Sequence, residues 1–267
     1  EKKTNIPILG ILPMLDDKLP PEDSLDLLDS KFDKEQFDLK VGIIKFPSIS
    51  NFSDLHPLEN ENSIQLRWVR KSENLKIFDF IILPGSKQTI KDLIFLEESG
   101  LSREIRSYSL SKGNIVGICG GLQMLGESLK DPHLKEGSIN LKNELNGLGI
   151  LPLRTIFSKS KQTRQVSCNS LWPCESNING FEIHNGKSFI SFKDIEAKTM
   201  PLFDKNNLGW YSENNKGGST VGTYIHGIFE NDLWRESYIN LIRHKKGLPL
   251  LDKGRKNYKI KRDSIIE

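Results

Sequence analysis

The chain has 267 residues, with 38 Lys and Arg against 35 Asp and Glu, and a formal net charge of +3 at pH 7. Because the basic residues are dispersed along the chain, nucleic acid is not expected as a partner. Three cysteines do not suit a disulfide framework, and no apolar run approaches the roughly 20 residues that span a bilayer, so we expect a cytoplasmic protein without a membrane partner. The oligomeric state is left open.

The first half of the chain alternates predicted strands with predicted helices. After an opening apolar run, residues 16–40 form an acidic, proline-punctuated segment typical of a connector with a short helix, and we place a domain boundary near residue 38. Runs rich in Ile, Val and Phe then predict buried strands at 41–46, 64–69, 77–83 and 114–118. The segments 87–100 and 101–113 have helical spacing, and each ends at a glycine suited to a C-cap. This alternation predicts an α/β fold with a mostly parallel sheet and flanking helices.

The second half of the chain consists mainly of predicted strands and turns. Additional strands are predicted at 147–157, 163–168, 178–192 and 218–229, separated by turns rich in Asn, Gly and Ser. A helix is predicted at 231–247, where Asn231 or Asp232 can act as the N-cap. The main domain is therefore placed at 39–247, and the highly charged residues 248–267 are expected to form a solvated tail.

Cys119 lies in the stretch "GICGG", where a predicted strand runs directly into a predicted helix. This arrangement is typical of a nucleophile elbow, in which the flanking Gly117 and Gly121 leave room for neighbouring backbone. The nearby helix N-terminus favours a thiolate over a thiol. A buried cysteine that merely packs is the alternative, but it would not need so many glycines around it. We therefore predict that Cys119 is a nucleophile.

A cysteine nucleophile needs a base, and two of the five histidines end predicted strands. His184 and His226 could both reach the carboxyl edge of the sheet, and His226 is preferred because Gly227 leaves room beside its ring. The turn at Gly85 follows another buried strand, so its backbone N–H could stabilise an oxyanion together with the N–H of Gly120. The segment around Gly85 does not match a phosphate-binding loop.

The elbow "GICGGLQMLG", with Gln123 four residues after Cys119, resembles that of the class I glutamine amidotransferases, a flavodoxin-like fold. Six ordered motifs narrow the resemblance to the glutaminase half of the cobyric acid synthase family: "FPSISNFSDLHPL", "ILPGSKQTIKDLIFLEESGL", "GICGGLQMLGE", "NGLGILPLRTIF", "GFEIHNGK" and "GTYIHGIFEND". Together they cover about 40 to 235. The opening segment, 1–38, resembles the end of that family's ATP-dependent synthetase domain and a linker.

The resemblance implies a role for each of the matching residues. Cys119 would attack the glutamine side-chain amide and form a glutamyl thioester, and His226 would take its proton and later activate water. Gly85 and Gly120 would supply the oxyanion hole, and Gln123 would help to hold glutamine.

The resemblance also implies what the chain works with. Ammonia would pass to the chain's own N-terminal synthetase domain, where ATP and Mg²⁺ would activate the b, d, e and g carboxylates of the corrinoid adenosyl-cobyrinic acid a,c-diamide. That domain is expected to be missing here, and no cofactor and no metal is expected in this chain. Cys168 and Cys174 look incidental to the chemistry.

One departure from the class I pattern concerns the base. Ile228 stands two residues after His226, where most class I amidotransferases carry an orienting glutamate. The cobyric acid synthase branch typically lacks that glutamate. Glu182 is the candidate replacement, although it could equally be a substrate contact or a surface glutamate.

Three alternatives to a cobyric acid synthase are compatible with parts of the sequence. The chain could be the glutaminase of a cobyrinic acid a,c-diamide synthase or of a peptidoglycan-precursor amidating ligase, because both use the same chemistry. It could also be a non-catalytic module that binds a corrinoid or a partner domain, although the presence of Cys119, Gln123 and His226 argues against this.

Overall fold

The computed structural model describes residues 36–136, 144–191 and 199–252, together with Pro7, Gly10 and Tyr258. The predicted connector helix and most of the 1–38 segment therefore lie outside the described residues. The first described strand, β1, begins at Leu39, next to the predicted boundary.

A seven-stranded sheet forms the centre of the domain. Its strands, in spatial order, are β11 (Thr199–Pro201), β12 (Gly209–Glu213), β13 (Ser219–Thr223), β6 (Ile115–Ile118), β4 (Phe80–Leu83), β1 (Leu39–Ile44) and β3 (Ile64–Val69). The five strands from β13 to β3 are parallel, and β12 and β11 extend the sheet in antiparallel pairing. The prediction of a mostly parallel α/β sheet is confirmed.

Five helices accompany this sheet in the described part of the chain. They are α1 (His56–Glu59), α2 (Thr89–Glu98), α3 (Leu101–Leu110), α4 (Gly120–Leu125) and α5 (Asp232–Lys245). Short 3₁₀ turns occur at Phe52–Leu55, Leu75–Ile77 and Ile228–Glu230. The central strands β4 and β6 are buried at every position, as expected for parallel strands that are covered on both faces. No helix among the described residues is long and apolar enough to cross a membrane.

A second sheet contains most of the extra strands predicted in the second half. Its order is β10 (Ser176–Ile190), β9 (Leu153–Ser170), β7 (Ser128–Lys130) and β8 (Glu144–Asn146). The long antiparallel hairpin of β9 and β10 has an irregularity between His184 and Gly186. A bridge between Phe181 and His226 ties this hairpin to the segment that follows β13.

Among the differences between prediction and structure, two concern the helix after Cys119 and the C-terminal segment. The helix, predicted over residues 121–129, ends at Leu125, because the chain turns at Gly126 and Ser128 pairs with Arg154 of β9 as part of a strand. Tertiary pairing here outweighs the helical pattern. In the C-terminal segment, predicted to be a solvated tail, Leu251 and Tyr258 are buried, so the described part packs on the domain.

A two-stranded sheet brings two loops together beside the central sheet. β2 (Ile49–Ser50) follows β1, and β5 (Gly85–Ser86) follows β4. Their antiparallel pairing sets Ser50 opposite Gly85. The loop that carries Asn51 and Asp54 therefore lies beside the Gly85 turn, at the carboxyl edge of the parallel strands.

Candidate active site

Cys119 stands between strand β6 and helix α4 in a strained backbone conformation, with φ 51° and ψ −104°. Its N–H donates to the carbonyl of Thr223 on the neighbouring strand at 2.8 Å. Gly121 makes the tight turn possible, because a Cβ there would stand 1.9 Å from the carbonyl oxygen of Leu83. Positive φ at a non-glycine residue is characteristic of functional sites. The elbow predicted from the glycine pattern is therefore present.

The His226 ring lies beside Cys119, and a carboxylate holds it from the other side. His226 Nδ1 donates to Asp54 Oδ2 at 2.7 Å, and the N–H of Gly227 donates to Asp54 Oδ1 at 2.7 Å. Both side chains are buried, with His226 0% and Asp54 2% exposed. An ionised carboxylate only accepts hydrogen bonds, so Nδ1 must carry the proton. The neutral ring then presents an unprotonated Nε2 as a base.

Asp54 also controls the charge of the ring. Burial by itself lowers the pKa of His226, but the charge and hydrogen bond of Asp54, followed by the Cys119 side chain, outweigh it and raise this pKa to about 10. An imidazolium beside a cysteine favours the thiolate. The site is therefore suited to a thiolate–imidazolium pair.

Two further contacts restrict the His226 ring. Asn51 Nδ2 lies 3.1 Å from Nε2 and 3.2 Å from Nδ1. Since the two distances are nearly equal, the amide lies over the ring face rather than in line with one nitrogen. Phe181 stacks on the ring at 5.2 Å between centroids. The orientation of the base is set by packing as well as by Asp54.

The prediction that Glu182 orients His226 is wrong. Glu182 forms an ion pair with Arg164 and lies 3.3 Å from His184 Nε2. Alternation along β10 explains the pairing, because residues two apart on a strand share one face. The carboxylate that contacts His226 comes instead from the 3₁₀ turn after β2.

His184, the second candidate base, has both ring nitrogens engaged. Nδ1 donates to the carbonyl of Gly186 at 2.6 Å, and Nε2 faces Glu182. The ring stacks on Tyr224 at 3.8 Å between centroids. Burial lowers the pKa of His184 and outweighs the opposite effect of Glu182. This engagement favours His226 over His184 as the partner of Cys119.

The other predicted site residues gather around Cys119. A Cβ on Gly85 would stand 3.3 Å from His226 Cε1, and a Cβ on Gly120 would stand 3.0 Å from the nitrogen of Ser86. Gly120 begins α4, and the first N–H groups of a helix have no intrahelical acceptor. The Gly85 and Gly120 segments therefore adjoin one another beside the thiol, which is compatible with the predicted oxyanion hole.

Gln123 is 2% exposed and belongs to a buried polar chain. Its Oε1 accepts from Thr89 Oγ1 at 3.1 Å, and its Nε2 donates to Tyr224 Oη at 3.3 Å. Tyr224 Oη continues the chain to Ser188 Oγ at 2.7 Å. Both ends of the Gln123 amide are thus already bonded to protein, which holds the side chain in one orientation at the site.

A cavity of about 230 Å³ opens onto the thiol. Its lining includes Asn51, Thr89, Cys119, Gln123, Glu136 and His184. A volume below that of typical drug-sized pockets suits a small ligand such as an amino acid. A larger cavity of about 560 Å³, lined by lysines that include Lys76 and Lys245, shares no lining residue with it. The small cavity is the candidate active site because Cys119, the predicted nucleophile, lines it.

Among the residues that the structure describes, no three His, Cys, Asp or Glu side chains are grouped to hold an ion. Cys168 is buried and Cys174 is partly exposed, and both are free thiols. Neither lines the cavity at Cys119.

Sequence reasoning missed Asp54 and Asn51. Both lie in "SNFSDL", a stretch whose polar residues look like an ordinary surface turn. A usable signal was present, since this loop follows β1 and the carboxyl ends of parallel strands meet at one edge of a sheet. That signal predicts the edge of the sheet at which the loop lies, but it does not predict which side chain reaches His226.

Comparison with known proteins bears on residues 40–234, which match the model of the CobB/CobQ-like glutamine amidotransferase domain. Among curated relatives, the cobyric acid synthase of Prochlorococcus marinus strain AS9601 is 62% identical and that of strain MIT 9215 is 60% identical, each over 268 aligned residues. The cobyric acid synthase of strain NATL2A is 48% identical over 269 aligned residues. These alignments cover 100% of this chain but 53% of each relative, so the chain spans about half their length.

Solved structures agree on the fold. The PurLQS structure from Thermotoga maritima superposes with a TM-score of 0.55 at 13% identity, over 78% of this chain and 100% of that chain. A structure described as a glutamine amidotransferase superposes with a TM-score of 0.53 at 14% identity, over 78% of this chain and 99% of that chain.

Proposed function

Because the chain belongs to the CobB/CobQ-like glutamine amidotransferase domain family, we propose that it is the glutamine-hydrolysing part of a cobyric acid synthase. The observation that carries this proposal is the strained elbow at Cys119, next to a buried His226 whose Nδ1 bonds to Asp54 at 2.7 Å. The identity of about 60% to relatives named cobyric acid synthase supports the assignment to that enzyme.

The reaction begins with attack of the Cys119 thiolate on the side-chain amide carbon of glutamine. As the C–N bond breaks, the His226 imidazolium gives its Nε2 proton to the leaving nitrogen, which departs as ammonia. The enzyme is left as a glutamyl thioester and His226 is neutral. Its Nε2 then removes a proton from water, which attacks the thioester and releases glutamate and the thiolate.

Neighbouring groups lower the barriers of both steps. The backbone N–H groups of Gly85 and Gly120 stabilise the negative oxygen of each tetrahedral intermediate. Asp54 keeps the proton on Nδ1 and stabilises the imidazolium. Gln123, held by Thr89 and Tyr224, forms one wall of the glutamine site.

Ammonia released here would be used by an ATP-dependent synthetase part of the same protein. In that part, ATP and Mg²⁺ would activate the b, d, e and g carboxylates of adenosyl-cobyrinic acid a,c-diamide, and ammonia would convert them to amides on the path to cobalamin. The fact that the relatives are about twice as long as this chain supports a second part of that size. Glutamine, the corrinoid and the synthetase part are thus the proposed substrates and partner.

A glutamine-mimicking diazoketone tests the nucleophile. We expect mass spectrometry to find one covalent adduct, on Cys119, and the Cys119→Ala variant to lose both the adduct and glutamine hydrolysis. Cys174 provides an internal control, because it is a partly exposed free thiol outside the cavity. Labelling of Cys174 in place of Cys119, or a Cys119→Ala variant that still hydrolyses glutamine, would contradict the proposal and favour a non-catalytic binding module.

A further inference from the structure

The cavity at Cys119 carries both signs of charge. Lys87 and Lys161 line it, and Glu136 is the one carboxylate among its described lining residues. A free amino acid has a cationic and an anionic group on its Cα. A site that selects glutamine over a simpler amide therefore needs a partner for each charge.

Glu136 is fixed in place by the protein. Its backbone N–H donates to Asp131 Oδ2 at 2.8 Å. Its carboxylate accepts hydrogen bonds from the N–H groups of Thr89 and Ile90, the first two residues of α2. A carboxylate is favoured at this end of a helix, so the side chain has a stable orientation.

One oxygen of this carboxylate has no partner. Glu136 Oε2 is buried and makes no hydrogen bond within the described part of the protein. A buried acceptor without a donor costs free energy, which a donor brought by a ligand would offset. Burial raises the pKa of Glu136, the bonds to Thr89 and Ile90 oppose this, and the charges of Asp131 and Asp92 add to it. A cationic ligand would stabilise the Glu136 carboxylate and offset the free-energy cost of burying its charge.

Contacts connect Glu136 to the nucleophile over a short distance. The N–H of Thr89 bonds to Glu136, and its hydroxyl donates to Gln123 Oε1. Thr89 Oγ1 also lies 3.1 Å from where a Cβ on Gly120 would stand. Gly120 is the residue next to Cys119. Glu136 and Cys119 also line the same cavity, so a ligand bound there lies near both.

We propose that Glu136 Oε2 accepts a hydrogen bond from the α-ammonium group of glutamine and thereby selects amino-acid amides over amides that lack this group. The proposal rests on the glutaminase function above and assigns the part of the site that recognises the amino acid rather than the amide.

The test compares L-glutamine with glutaramate, the same molecule without its α-amino group, in the natural full-length protein. We expect the Glu136→Gln variant to raise KM for glutamine about 10- to 100-fold, with kcat nearly unchanged, since hydrogen bonds between charged groups are worth that much. Gln at this position keeps the oxygen that accepts from α2 but loses the charge. For glutaramate, KM, or its inhibition constant if it is not hydrolysed, should change less than about threefold.

Glu98→Gln is the matched control, because Glu98 is an exposed carboxylate on the same helix α2. It should leave both substrates unaffected. Equal losses for glutamine and glutaramate in Glu136→Gln, or no loss for either, would overturn the proposal. A wild-type protein that hydrolyses no glutamine would instead count against the glutaminase function itself.

Discussion

One buried carboxylate, Asp54, decides how His226 can act. Its Oδ2 holds Nδ1, its Oδ1 is held by the N–H of Gly227, and the pKa of His226 rises to about 10 although burial opposes this. Because this pKa lies above the ordinary 6.5, the pair stabilises the fold below about pH 6.5 and loses that contribution as the pH rises through about 10. In the proposed mechanism, this imidazolium gives its Nε2 proton to the leaving nitrogen.

Replacing Asp54 by Asn should lower kcat for glutamine hydrolysis roughly 10²- to 10⁴-fold with a small change in KM, because an amide on Nδ1 favours the wrong tautomer. The pH at which activity falls through loss of the imidazolium should also move down, since only the Cys119 side chain then opposes the effect of burial on the His226 pKa. Steady-state kinetics between about pH 6 and about pH 10 would measure both effects.

Asp204→Asn is the control for that variant. Asp204 is also a carboxylate that accepts a backbone N–H, that of Asn169 at 2.9 Å, but it does not line the cavity. It should keep the wild-type kcat and pH profile. An Asp54→Asn variant with an unchanged pH profile would show that Asp54 only supports the fold.

At the scale of elements, the elbow depends on how closely α4 approaches β4. The position of a Cβ on Gly121, 1.9 Å from the Leu83 carbonyl, leaves no room for a methyl group. This close approach places Cys119 next to the turn at Gly85. The 3₁₀ turn Ile228–Glu230 directs the Ile228 side chain into the core, where it is 0% exposed.

Gly121→Ala should therefore lower the free energy of unfolding by about 3 kcal/mol or more, because backbone would have to move. Gly149→Ala is the comparison, since Gly149 has a positive φ of 65° but open space around its Cβ position, and it should lose only about 1 kcal/mol. Urea denaturation measures both. Similar losses in the two variants would mean that α4 can shift away from β4 without cost.

At the scale of the whole molecule, the second sheet completes the site that the central sheet begins. The hairpin of β9 and β10 places Ile183 and His184 over Cys119, and Cys119 Sγ lies 3.5 Å from the Ile183 carbonyl oxygen. The predicted nucleophile Cys119, the predicted base His226 and the wall formed by Gln123 all belong to the described part of this chain. In the proposed mechanism, none of these residues activates a carboxylate as a synthetase does.

Given glutamine, ATP, Mg²⁺ and the corrinoid, the 267-residue chain alone should release glutamate and ammonia and form no corrinoid amide. Mass spectrometry of the corrinoid and an ammonia assay would measure the two products. Formation of a corrinoid amide by the chain alone would refute the proposal that a separate synthetase part activates the carboxylates. As a control, the full-length protein carrying Cys119→Ala should still amidate with an ammonium salt but not with glutamine.

The family resemblance and the fold class predicted from sequence are both confirmed. They could be read from sequence because the signals are local. The strand from Ile64 to Val69 shows its own apolar pattern, and the elbow needs its glycines within a few positions of Cys119. Such features depend on neighbours along the chain, so the order of residues is sufficient to reveal them.

The partners of the catalytic groups were decided by the tertiary structure. Asp54 lies 172 residues from His226 in sequence, and Glu182, the nearer carboxylate, turned out to contact His184 and Arg164. Glu136 likewise reaches the cavity only because its loop caps α2. No local pattern joins such pairs, because the contact arises when parallel strands bring the ends of distant loops to one edge of a sheet. The sequence by itself determined the glycine-rich turn at Cys119, and the packing of the sheet determined which carboxylate contacts His226.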